Sequence, residues 1–224
     1  MIAFEVLKPL ARLSEPDPRQ LDRLCLNSTT GEYRRVTLED HYAAIARLNL
    51  ASHVPILVRD SFETARNLLL YSWFVYRFVA LAELHSVSCL EFTLKHRYER
   101  DTGAKSPESL RRLMNYAVAN GWLQDEGVRE MGRATVGELD LLEALGEPDA
   151  DPAPSSDQQR YVRFLARALP DIRNQLAHGT PLVWPGGYSV LGVVAALISQ
   201  VCTTAAPARG MVKPAPPVAP STRT

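Results

Sequence analysis

Apolar residues recur at helical spacing through most of the chain, and strand-like alternation is nearly absent. Between Val58 and Arg100 there is neither proline nor glycine. That span reads as one long helix, or two helices end to end. Leu69, Trp73, Tyr76, Ala80, Val87, Leu90 and Leu94 form its apolar stripe. The first half is apolar nearly all round and belongs at the centre of a bundle. The second half is amphipathic and closes on Lys95-His96-Arg97, cations that suit a helix C-terminus.

Shorter helices flank it. Thr37 with Asp40 makes an imperfect capping box ahead of Leu38, Tyr42, Ile45, Ala46 and Leu50. Ser106-Pro107-Glu108 is a strong start for a helix reaching Asn120, where Gly121 stops it. A short helix is expected over 135–145, followed by a proline-rich acidic loop over 146–156. Ser156 or Asp157 then caps a helix to Leu169. Pro170 either kinks that helix or starts a second segment, Asp171 to His178, which Gly179-Thr180-Pro181 terminates. A last helix spans about Ser189 to Thr203.

The pattern therefore predicts an all-α fold, an up-and-down bundle of four to five helices over 37–204. Residues 1–36 form an N-terminal extension of unassigned structure, with a turn at Asn27 to Gly31. The Pro- and Ala-rich tail, 205–224, is expected to be disordered.

Composition narrows the function. The 25 basic and 25 acidic residues cancel, which argues against coating nucleic acid by bulk charge but leaves room for a local basic cleft. Three dispersed cysteines, Cys25, Cys89 and Cys202, make neither a disulfide framework nor a zinc ribbon. They suit a reducing compartment. The N-terminus lacks the pattern of a signal peptide. The apolar runs at 67–76 and 190–202 are shorter than the roughly 20 residues of a spanning helix. A cytoplasmic protein without membrane attachment is expected.

The segment Arg173-Asn174-Gln175-Leu176-Ala177-His178 carries the chemistry. Asn174 and His178 share a helical face. Arg173 lies about 140° from His178 around the axis, within reach for a long side chain at a helix end. Imidazole titrates near neutrality and can take a proton from a ribose 2′-hydroxyl. A guanidinium offers a planar, permanently charged fork to a pentavalent phosphate. The amide of Asn174 can orient either partner. No metal or cofactor is called for.

Arg-Asn-x-x-x-His in a short late helix resembles the R-x4-6-H motif of the HEPN family. Leu-Ala-His-Gly, a proline-containing loop and a final apolar helix are also similar to many members. The helix over 80–98, with Glu83, Glu91, Leu94 and Arg97, looks like the family's long second helix. The helix over 106–120 and Gly121-Trp122-Leu123 look like its third. The resemblance implies a homodimer whose two motifs face one cleft, with RNA as substrate and an antitoxin or other partner protein. It implies a metal-independent endoribonuclease of a defence or stress system, with Arg173, Asn174 and His178 catalytic. A non-catalytic helical dimer that binds protein or RNA is the alternative. Thr180 stands where antitoxin-paired members often carry a tyrosine.

Other polar residues have plainer explanations beside functional ones. Arg77, Glu83 and Glu91 line a cleft and orient Arg173, or they are partly buried ion-pair members, the reading favoured here. His85 and Cys89, four apart, pack rather than bind metal. His41, His53 and His96 suit surface or cap positions. Arg111 and Arg112, with Lys95, Arg97 and Arg100, form either a phosphate-binding rim or ordinary solvated helix ends.

Overall fold

A computed structural model describes residues 6–26, 31–126, 128, 159–179 and 187–203. Among the described residues the chain is an all-α bundle with one small antiparallel strand pair. After a single 3-10 turn, Leu10–Arg12, come α1 (Pro18–Leu21), β1 (Leu24–Leu26) and β2 (Tyr33–Arg35). The bundle follows: α2 (Leu38–Ala46), α3 (Ile56–Tyr71), α4 (Phe78–Thr102), α5 (Leu110–Ala119), α6 (Arg160–Ala177) and α7 (Gly187–Thr203). The expected helix over 135–145, the loop over 146–156, the cap at Ser156 or Asp157 and the tail beyond 204 lie outside the described residues.

The glycine-free, proline-free span is two helices folded back on each other. Ser61 of α3 touches His85 and Cys89 of α4, while Leu69 and Val79 meet against Gly187, so the pair is antiparallel. The break falls at Ser72–Arg77, where no residue is a helix breaker. Its cause lies in the N-terminal extension. The Asp17 N–H donates to the Trp73 carbonyl (2.8 Å), and the Tyr76 N–H donates to Asp17 Oδ2 (3.2 Å). Gln20 Nε2 donates to the Ser72 carbonyl and Lys8 Nζ to that of Phe74, both at 3.0 Å. The arm thus supplies partners that a continuous helix would have found within itself.

His41 completes this junction. It is 1% exposed, in contrast to the expected surface or cap position. Its Nε2 lies 3.0 and 3.1 Å from the carbonyls of Leu69 and Leu70 in the last turn of α3, which also accept from Ser72 and Trp73. Nδ1 accepts from the Tyr188 hydroxyl, which in turn accepts from Arg23 (3.3 Å). These partners assign the neutral tautomer with the proton on Nε2. One imidazole thereby joins the arm, α2, α3 and α7.

Gly187 lies against Leu69 and Val79, and an added Cβ there would come within 2.7 Å of Leu69 Cδ1. Glycine lets α7 begin this close to α3 and α4. At the other end Arg97 donates to the Val201 carbonyl, so α7 runs parallel to α4. Gln124 N–H donates to Gln200 Oε1, and Asp125 accepts from Tyr161 and Val162, at 3.0 and 2.8 Å. The Asp125 carboxylate therefore satisfies the first turn of α6 from a distant segment. That places the start of α6 beside the end of α7, and the two run in opposite directions.

Two details differ from expectation. Helix α5 starts at Leu110, one turn later than Ser106-Pro107 suggested, because the Ser106 N–H is turned back onto Glu99 (3.2 Å). Arg97 is 2% exposed rather than part of a phosphate rim; it pairs with Asp101 (3.1 Å) and lies 4.3 Å above the Trp122 ring. Among the described residues no helix is long and apolar enough to cross a membrane.

His41→Phe keeps the ring volume and removes the bonds to Leu69, Leu70 and Tyr188. It is expected to cost about 1–3 kcal/mol in urea unfolding. Burial lowers the His41 pKa below 6.5, so the native state resists protonation. Stability is fully present above pH 6.5 and falls as pH drops below it, because the unfolded chain takes up the proton first. The variant lacks that part of the acid slope.

Candidate functional site

Helix α6 carries the motif through Pro170, which sits inside one continuous helix. The helix ends at Ala177, with His178 as C-cap and Gly179 in the left-handed conformation at φ 80°. Glycine has no Cβ to clash there, so this chain reversal follows from the residue type. Leu165 and Leu169 bury the face of α6 opposite Asn174 and His178, with Ile172 packed against the same core, and Arg173 lies at the edge of that buried face. That arrangement turns Asn174 and His178 outward.

Arg173 is half-buried, whereas Asn174 and His178 are exposed. The Arg173 guanidinium donates through Nη1 to Asn174 Oδ1 (3.3 Å), and its Nη2 lies 3.7 Å from Glu91 Oε2. Glu91 is held more tightly by Lys95, one turn on along α4, at 2.6 Å. The Arg173–Glu91 contact is long for a hydrogen bond, and the arginine side chain is 41% exposed. It is a loose orienting contact in partly wet surroundings, worth about 1 kcal/mol or less.

Of the three residues considered as cleft support, Glu91 alone contacts Arg173. Glu83 sits two turns earlier on α4, 6% exposed, and its Oε1 has no hydrogen-bond partner. Desolvation pushes its pKa up to about 8, so it is a neutral acid at pH 7. Arg77 lies at the foot of α4, exposed, and already has an interaction partner.

The remaining expected basic rim is largely committed elsewhere: Arg111 pairs with Asp171 (2.6 Å), Arg100 with Asp101 (2.9 Å) and Lys95 with Glu91. His85 and Cys89 both bond to Ser61, a packing arrangement. Among the described residues no group of three or more potential ligands could hold a metal ion. His53 and Thr203 are in contact, with His53 Nε2 also 3.3 Å from the Ser199 carbonyl.

The motif lies beside the middle of α4, where Arg173 approaches Glu91, whereas Tyr188 at the start of α7 meets Arg23 and His41. The Arg23–Tyr188–His41 junction joins residues remote in the chain and carries no local signal in the sequence. The Glu91–Lys95 pair, by contrast, follows the ordinary four-residue spacing of helical ion pairs.

The fold and site together define an all-α bundle in which α6 closes on a half-buried Arg173 paired with Asn174 and an exposed His178 cap. No family model, no curated protein and no solved structure matches this chain.

The raised Glu83 pKa has a measurable consequence. Between the ordinary carboxyl value of 4.5 and about 8 the native state holds a proton that the unfolded chain has lost. Stability is therefore highest below pH 4.5 as far as this group is concerned, and declines toward pH 8 by an upper limit of ~4 kcal/mol. Urea unfolding at pH 5 and pH 8 should show this decline, and Glu83→Gln should flatten it.

Proposed function

We propose that this protein is a metal-independent endoribonuclease of the HEPN type, acting as a homodimer in a defence or stress system. The observation that carries the proposal is that the last turn of α6 and its cap hold a guanidinium and an imidazole that both reach solvent. The guanidinium is steadied by Asn174 and Glu91.

RNA is a fitting substrate for this pair of groups. His178 takes the proton from a ribose 2′-hydroxyl as the 2′-oxygen attacks the adjacent phosphorus. The bond to the 5′-oxygen breaks, and that oxygen leaves with a proton from solvent. Arg173 donates to the phosphate oxygens as charge builds on them, and the always-charged fork supplies stabilisation that many nucleases obtain from a cation. The products are a 2′,3′-cyclic phosphate and a 5′-hydroxyl. Glu91 acts through Arg173 and is a positioning residue.

A second reading is a non-catalytic helical dimer that binds RNA or a partner protein. The contacts of Arg173 with Asn174 and Glu91 favour it, since they occupy part of the guanidinium's donor capacity.

Incubation of total RNA with the protein in EDTA separates the two. The nuclease reading expects cleavage to fragments ending in cyclic phosphate, lowered at least ~100-fold in His178→Ala and in Arg173→Ala. Folded wild-type protein that leaves RNA intact supports the binding module instead.

A further inference from the structure

Two cations share one carboxylate beside the motif. Glu91 Oε1 accepts from Lys95 Nζ at 2.6 Å, and Oε2 faces Arg173 Nη2 at 3.7 Å. The three side chains differ in exposure: Glu91 is 11% exposed, Lys95 36% and Arg173 41%. The anion is thus largely withdrawn from water, while both cations reach it. Among the described residues the Glu91 carboxylate meets no other cation.

The unequal distances follow from where each cation comes from. Lys95 stands one turn after Glu91 on α4, the favourable order for a helical ion pair, so that contact is available from the helix alone. Arg173 approaches from α6 and gives Nη1 to Asn174 Oδ1. A carboxylate this far out of water attracts any cation within reach, because the low local dielectric strengthens the interaction. Once the ammonium meets its charge, its pull on a second cation weakens, and the ammonium repels the guanidinium. Without the ammonium, Arg173 becomes the sole counter-ion of a largely buried charge. The contact then closes to the short, two-pronged pairing that arginine and carboxylate prefer.

We propose that Lys95 is a positioning residue that acts through Glu91: by holding the carboxylate, it keeps Arg173 from being clamped and leaves the guanidinium free to bind phosphate. The proposal rests on the preceding reading only for RNA phosphate as the ligand of Arg173. The competition of Lys95 and Arg173 for Glu91 stands on the geometry. Its signature is conditional: loss of the ammonium harms the site only while residue 91 carries a charge.

Cleavage of RNA in EDTA by Lys95→Met, Glu91→Gln and the double variant tests this. NMR of the Arg173 guanidinium gives a second readout that needs no substrate. Both substitutions keep the length of the side chain, and circular dichroism melts check the fold. Lys95→Met is expected to lower kcat/KM at least ~10-fold, and the double variant to fall within about 3-fold of Glu91→Gln, the coupling typical of residues in direct contact. Lys95→Arg keeps the charge and should lose less than Lys95→Met. Rotation of the Arg173 guanidinium about its Nε–Cζ bond should slow in Lys95→Met and recover in the double variant.

A loss that persists in full in the double variant means that Lys95 touches phosphate directly, and overturns the proposal. So does a Lys95→Met protein that cleaves like the wild type, or an Arg173 whose rotation ignores that substitution. If every form leaves RNA intact while the rotation changes as expected, the nuclease reading fails and the competition for Glu91 stands.

Discussion

The fold depends on an unwound turn being made as comfortable as a helix. Residues 72–77 contain nothing that forces a break, yet the chain reverses there. Helix ends carry orphan carbonyls, and leaving them buried without partners costs more than most single contacts return. Here the carbonyls of the turn, Ser72, Trp73 and Phe74, find partners in Gln20, Asp17 and Lys8 of the arm, and His41 of α2 adds a donor at the carbonyls of Leu69 and Leu70. Asp17 is used twice, its N–H donating to Trp73 and its carboxylate accepting from Tyr76. Because α3 and α4 are the pair around which the bundle is arranged, the arm is part of the fold rather than an appendage.

The same logic positions the candidate site. The start of α6 is capped by Asp125, its middle is buried through Leu165 and Leu169, and its end is released by Gly179. Asn174 and His178 lie on the face turned away from Leu165 and Leu169 and are exposed, whereas Arg173, four residues on from Leu169, is half-buried and reaches Glu91. On α4, Glu91 reaches Arg173 while Glu83 is sealed against Gly187 and stays neutral. Two carboxylates of one helix thus differ in character because one keeps a cationic neighbour and the other is dry.

Helix content and several boundaries were legible because they rest on local chemistry. The Thr37–Asp40 capping box forms with both reciprocal bonds, and Gly121 and Gly179 take positive φ at the ends of α5 and α6. The reversal at 72–77 was not legible, since its cause sits more than fifty residues upstream. For the same reason His41 could not be distinguished from a surface histidine: its partners Leu69, Leu70 and Tyr188 are all remote in the chain. The late start of α5 shows a strong local cap signal losing to a tertiary bond with Glu99. At the site, the exposure of Asn174 and His178 follows from their shared helical face, opposite Leu165 and Leu169, whereas the choice between Glu83 and Glu91 as the neighbour of Arg173 depends on packing that spacing alone does not specify.

Amide hydrogen exchange of the wild type and of Asp17→Ala/Gln20→Ala tests the dependence of the α3–α4 reversal on the arm most directly. The account predicts a selective loss of protection at Tyr76 and its neighbours in the turn, with the centre of α4, from Ala82 to Leu94, still slow. Unchanged protection at Tyr76 in the variant would contradict it, since the turn would then hold itself without the arm.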